Sequence, residues 1–163
     1  MNTAYIPFLP AAATILVGLV ASIIALCAIQ SNRQIARKKN SLDTILMIKG
    51  DDSLTQGIKH IHRIHKDPVL STTKYAYPEF DATDEAIGIR YTLNFYEYLA
   101  IGIHEKVYDE VLLKESMYTT VVNVAERCDE FIAVIRKNGQ KTAFCHFDKL
   151  VNRWKNSPLK VKS

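Results

Sequence analysis

Residues able to do chemistry are few in this chain of 163 amino acids. The densest set is His60, His62 and His65 in the run HIHRIH, where imidazoles recur at a spacing that invites a metal ion. His62 and His65 share one side of a helix, but His60 is turned roughly 200° from His62 at about 100° per residue. Three ligands from one such helix cannot converge, and no carboxylate or cysteine lies in the motif to replace one. The expectation is no metal, with His65 partly buried and His60 and His62 solvated. Glu97 and His104, seven apart, fall on one helix side two turns apart. In a cleft they would form an acid and base pair with Tyr98 or Asp109 beside them. On an aromatic-rich helix the commoner arrangement is a buried glutamate hydrogen-bonded to a tyrosine or histidine. Cys145 and His146 are neighbours in sequence, and adjacency alone does not make a nucleophile, which needs a third group to orient its base. A glycine-rich phosphate loop, a serine elbow, a zinc-helix motif and a paired-cysteine site are all absent. No catalytic residue and no cofactor is expected.

The element that would position everything else is the uncharged apolar run over residues 10–30, PAAATILVGLVASIIALCAIQ. At about 1.5 Å rise per residue it covers the roughly 30 Å of hydrocarbon in a bilayer, where only a helix satisfies its own backbone. Residues 1–9 hold no lysine or arginine and form a short non-helical lead-in, with Pro7 and Pro10 as its markers and Tyr5 and Phe8 as interface anchors. Arg33, Arg37, Lys38 and Lys39 follow the run. Positive charge on that side places the C-terminal part in the cytoplasm, and these four side chains lie against anionic headgroups at about 1 kcal/mol each. A cleaved signal peptide would carry its basic residues first. Gly18 with Ser22, and Ala21 with Ala25, are pairs of small residues four apart, a strip on which a second copy of the helix could close.

Residues 31–50 hold no proline and continue as a basic juxtamembrane stalk, with Ile35, Leu42, Ile45, Leu46 and Ile48 as its apolar stripe. After the break at GDDS, Leu54, Ile58, Ile61 and His65 outline a short amphipathic helix ending before Pro68. Residues 67–83 read as a loop whose Tyr75, Tyr77 and Phe80 staple it to the core. Thr83 caps the next helix, with Ile87, Tyr91, Asn94, Phe95, Tyr98, Leu99 and Gly102 as its inner side. Met117, Val121, Val124, Cys128, Phe131 and Ile135 make a heptad seam too short for a free coiled coil. Phe144, Phe147, Leu150, Val151 and Trp154 mark the last helix, and residues 158–163 form a disordered tail. The fold class is therefore all-α: one transmembrane helix, a basic stalk, and a small cytoplasmic helical bundle over residues 51–157.

Charge and cysteine usage fit that plan. Three cysteines, one of them Cys27 within the apolar run, exclude a disulfide framework and suit a reducing compartment. Twelve acids face four bases over residues 79–130, whereas eight bases face one acid over residues 136–163. The acidic middle argues against a nucleic-acid surface.

The segment LNFYEYLAIGIHEKVYDEVLLKES over residues 93–116, with FDKLVNRW over residues 147–154, resembles an uncharacterised family of bacterial and prophage membrane-anchored helical proteins. The resemblance covers most of the chain, rests on core-like residues and transfers no active site. It implies a bacterial inner membrane, and by association a role in phage superinfection exclusion or defence. The expected function is a single-pass protein that uses its helical domain to bind a protein partner at the membrane, with a homo-oligomer as a second association. The competing expectation is a membrane-tethered hydrolase or nuclease using Glu97, His104 and the helix that carries His60, His62 and His65.

Overall fold

The computed structural model describes the backbone of residues 8–159 and the side chains of residues 13–159. Tyr5, Pro7, the side chain of Phe8 and residues 160–163 lie outside the described residues. Five α-helices follow one another, and no strand occurs among the described residues. The first, α1 (Phe8–Gly50), is a single unbroken helix of 43 residues. It starts earlier than the lead-in over residues 1–9 allows, and Pro10 sits inside its first turn. Proline is tolerated there because the first amides of a helix have no partner to lose. α1 is long and apolar enough to cross a membrane: its most apolar window has a mean hydropathy of 2.3, and none of that window is buried.

Beyond that window the other helices gather against the second half of α1. Ser41 and Thr44 are buried there, while Ile45 and Ile48 pack on the core. Ile35, Leu42 and Leu46 of the expected stripe stay exposed. Polar anchors, rather than the largest aliphatic side chains, choose the docked side. Ser41 Oγ accepts from the Asp109 amide at 2.8 Å, and Asn40 Nδ2 donates to the Val107 carbonyl at 3.3 Å.

Asp51 turns the chain into α2 (Asp52–Lys66) by accepting from the Leu54 amide at 2.8 Å. Its buried side is Leu54, Gly57, Ile61 and Ile64. Ile58 is half-buried and His65 is exposed, so the expected stripe is rotated by one position. The reason is Gly57, where α2 crosses α3 (Asp84–His104). A Cβ on Gly57 would lie 2.2 Å from Thr92 Oγ1 and 2.4 Å from the Gly88 carbonyl oxygen. Only a bare Cα admits that approach.

Between these helices the chain makes two short 3₁₀ turns, Thr72–Ala76 and Pro78–Phe80. Thr72 Oγ1 donates to the Arg127 carbonyl at 3.0 Å and Thr73 Oγ1 to Glu130 at 2.8 Å. Tyr75 is buried and meets Phe80 edge-on with ring centroids 6.1 Å apart. The aromatic staple thus uses these two residues, while Tyr77 is exposed.

Thr83 caps α3 through the Ala86 amide at 3.2 Å. The inward side is Ala86, Ile89, Leu93, Tyr96, Leu99, Ala100 and Ile103, which corrects the expected one: Ile87, Tyr91 and Tyr98 face outward. Large apolar residues occur all round this helix, so periodicity alone does not pick a side. Its small residues do, since they admit the neighbouring backbones. α4 (Glu110–Lys137) buries its whole seam from Met117 to Ile135 as the spacing predicts. Within it, burial pushes the Cys128 thiol up to about 12. α5 (Cys145–Asn156) closes the core with Phe147, Leu150, Val151 and Trp154. Trp154 stacks near Tyr118 and donates its indole N–H to Glu110 at 2.9 Å.

Candidate functional site

The polar side chains that the fold draws together lie where α3 meets the start of α5. Phe144, the residue before α5, adopts a left-handed conformation (φ 58°) and offers no side-chain cap. The first amides of α5 would be left without partners. Glu97, beside buried Tyr96 on α3, supplies the cap from outside the helix. Its Oε2 accepts from the Phe147 amide at 2.7 Å and its Oε1 from the His146 amide at 3.2 Å. A carboxylate is the favoured group there, because the positive end of the helix dipole points at it. Arg136 braces the preceding turn, donating to the Ala143 carbonyl at 2.9 and 2.7 Å and to Asp148 at 2.6 Å.

Two further groups close on the same carboxylate. His146 Nδ1 is 2.9 Å from Glu97 Oε1, and Cys145 Sγ is 3.4 Å from that nitrogen and 4.0 Å from the oxygen. A nucleophilic relay needs the thiol on one ring nitrogen and the acid on the other. Here both meet Nδ1, so the imidazole cannot take a proton from Cys145 while Glu97 steadies its far side. The three ligand atoms lie within 4.8 Å of one another, close enough to hold one metal ion. A metal at this position would compete with two backbone amides for the carboxylate. As the residues stand, the cluster fastens α5 to α3.

The candidates read from sequence are distributed differently. Glu97 is largely buried, as expected, but its partner is His146 and not His104. His104 is exposed, with its ring centroid 6.2 Å from that of His146 and its Nε2 3.9 Å from Glu105. Tyr98 faces outward, and Asp109 caps α4 through the Leu112 amide at 3.1 Å. His60 lies half-buried against Arg63, at 3.2 Å. His62 Nδ1 meets Arg127 Nη1 at 2.9 Å. Loss of hydration, with Lys66 and Arg127 adding their charge, holds the His62 pKa below the ordinary imidazole value. His65 is exposed beside the groove that also contains Arg127 and Glu130, which corrects the expected order of burial. Among the described residues, only Glu97, Cys145 and His146 form a ligand group of three. Neither His104 nor the α2 histidines join Glu97 in one.

The association of Cys145 and His146 with Glu97 is a tertiary event between residues almost fifty apart, and the sole hint in the sequence was an unexplained Cys-His pair. On α1, Gly18, Ala21, Ser22 and Ala25 are all exposed, and Ser22 Oγ donates back to the Gly18 carbonyl at 2.8 Å. Arg33, Lys38 and Lys39 are exposed, while Arg37 is half-buried against the turn that joins α3 to α4.

That turn has its own geometry. α3 ends with the Lys106 amide on the Ile103 carbonyl at 3.1 Å and the Val107 amide on the Gly102 carbonyl at 2.8 Å. This is the paired closure that usually places glycine at the left-handed position. Here that position is Lys106, with φ 58°. Gly102 is needed because the Tyr108 ring lies over it: a Cβ would be 2.3 Å from Tyr108 Cε2.

Fold and site together define an all-helical protein with one N-terminal helix of membrane-crossing length and apolarity. The chain belongs to the family described as a domain of unknown function, DUF4760, whose model matches residues 13–154. No curated protein and no solved structure matches it.

Proposed function

We propose that this is a single-pass inner-membrane protein, with its N-terminus outside and its helical domain in the cytoplasm, and that this domain is a protein-interaction module. The observation that carries the reading is the division of α1. Ile15, Leu16, Leu19, Ile23, Ile24 and Leu26 are all more than half exposed, whereas contact with the remaining helices begins near Asn40. Each such side chain gains roughly 1.5–3 kcal/mol on leaving water, and lipid supplies the cover that the fold does not. The basic residues after the span support the orientation, with residues 31–50 as a stalk and α2–α5 as a bundle held close to the inner leaflet. The outward side of α3, with Ile87, Tyr91 and Tyr98 exposed, supports the interaction role, since aromatic side chains are enriched in protein interfaces.

The test has two parts. After alkaline extraction the chain should remain with the membranes, and a reporter fused after Ser163 should be active in the cytoplasm. Release into the aqueous fraction, or an external reporter, contradicts the placement. Capture with the intact chain should recover one specific protein that is lost on Tyr98→Ala with Ile87→Ala. Recovery unaffected by both changes contradicts the interaction surface.

A further inference from the structure

We propose that the cleft between α1 and the turn joining α3 to α4 seats the phosphate of an anionic phospholipid headgroup, held by Arg33, Arg37 and Lys106. This rests on the membrane-spanning reading of α1. The cleft has a volume of about 450 Å³, with Arg33, Arg37 and Asn40 on one wall and Lys106 and Val107 on the other. Its acid, Glu105, lies 3.9 Å from His104. A second hollow of about 600 Å³ shares Arg37 and Lys106 and adds Lys38. The acids of that second hollow are engaged: Glu110 accepts from Arg153 and Trp154, and Asp109 caps α4.

Three observations point to a phosphate. First, the molecule pairs its other arginines: Arg63 with Glu85, Arg90 with Asp81, Arg136 with Asp148 and Arg153 with Glu110, while Arg127 meets His62. Arg33, Arg37 and Lys106 have no ion-pair partner among the described residues. Two guanidinium forks and an ammonium at one cleft match a tetrahedral oxyanion. Second, Lys106 occupies a backbone position where glycine is the unstrained choice. The backbone closure there does not need a lysine, so the cationic side chain is what the strained position presents. Third, the depth of Arg33 is right. Arg33 lies three residues past Gln30, about 5 Å along the helix, and Arg37 lies about 10 Å along it with its side chain tilted back toward the helix N-terminus. The headgroup layer on each side of a bilayer is about 5–8 Å thick. Asn40 and Ser41, about 15 Å past Gln30, hold the α3–α4 turn beside these arginines through Val107 and Asp109.

The test uses the full chain in phosphatidylcholine nanodiscs carrying a trace of spin-labelled phosphatidylglycerol, compared with spin-labelled phosphatidylcholine. Electron paramagnetic resonance reads the relative association of the two lipids with the protein. The intact chain should select phosphatidylglycerol, and Lys106→Gly or Arg37→Gln should each lower that selectivity about five-fold. Lys39→Gln, which removes a cation outside both hollows, should change it less than either of these. Lys106→Gly relaxes the turn, so its loss of selectivity cannot be put down to misfolding. Equal effects of Lys39→Gln and Lys106→Gly would overturn the seat in favour of diffuse attraction, as would an absence of selectivity. Displacement of the labelled lipid by excess free phosphate would overturn the lipid as occupant. A chain that fails to enter the discs at all would sink the tether reading, and the seat with it.

Discussion

α1 and α3 are both rich in large apolar residues, and they meet opposite fates. Among the described residues of its first half α1 buries none, whereas α3 buries eight residues along one side and is crossed closely by α2. Hydrophobicity does not separate the two. Small residues placed where another backbone arrives do: Gly57 and Gly88 let α2 and α3 meet, while around Gly18 nothing lies within 4 Å. A helix with such a meeting point becomes part of a core. One without it awaits another solvent.

The same substitution on the two helix systems breaks this contrast most sharply. Gly57→Ala should destabilise the folded domain by about 3 kcal/mol, because the new methyl group strikes the Gly88 carbonyl, which cannot step aside. Gly18→Ala should leave the unfolding midpoint unchanged. Thermal or denaturant unfolding followed by circular dichroism checks both, and similar costs at the two positions would remove the distinction.

The next effect concerns how α3 holds α5. Glu97→Ala leaves the His146 and Phe147 amides without their acceptor and should cost about 2 kcal/mol. Hydrogen exchange at those amides should rise with it. Glu97→Gln retains an acceptor and should lose less. The far end of α3 should respond with the opposite sign: Lys106→Gly relieves a left-handed lysine and should stabilise the protein by about 1 kcal/mol, read in the same unfolding experiment.

The smallest effect is a pH dependence. The His62 pKa is lowered in the folded state, so below about pH 6.5 the unfolded chain takes up a proton that the folded one resists. Stability should therefore fall as pH drops from 7 towards 5, and His62→Gln should flatten that part of the profile. Glu85 adds a later loss. A hydrogen bond from its own backbone amide, with Arg63 beside it, lowers its carboxyl pKa, so its contribution fades as the pH falls below the ordinary carboxylate range.

The α4 seam was legible because its apolar residues recur at alternating steps of four and three and so stay on one side from Met117 to Ile135. The helix cap at Thr83 was equally plain, since it is a side chain acting on its own next turn. On α3 aromatic residues stand on both sides, so the stripe read from spacing mixed the outward Ile87, Tyr91 and Tyr98 with the buried Leu99. On α2 a pattern that counts only large residues passes over Gly57, which sets the crossing. The partner of Glu97 was sought within its own helix at His104, but a group that caps another helix from a distance leaves no mark in local spacing.

The central claim, that the first half of α1 lies in lipid, is tested most directly by the three free cysteines. Cys27 is exposed in the fold, Cys145 is half-buried, and Cys128 is fully buried. In native membranes a hydrophilic maleimide should modify Cys145 while Cys27 and Cys128 resist, and mapping the labelled peptide by mass spectrometry identifies the site. If Cys27 reacts first in intact membranes, the apolar half of α1 stands in water and the account is contradicted.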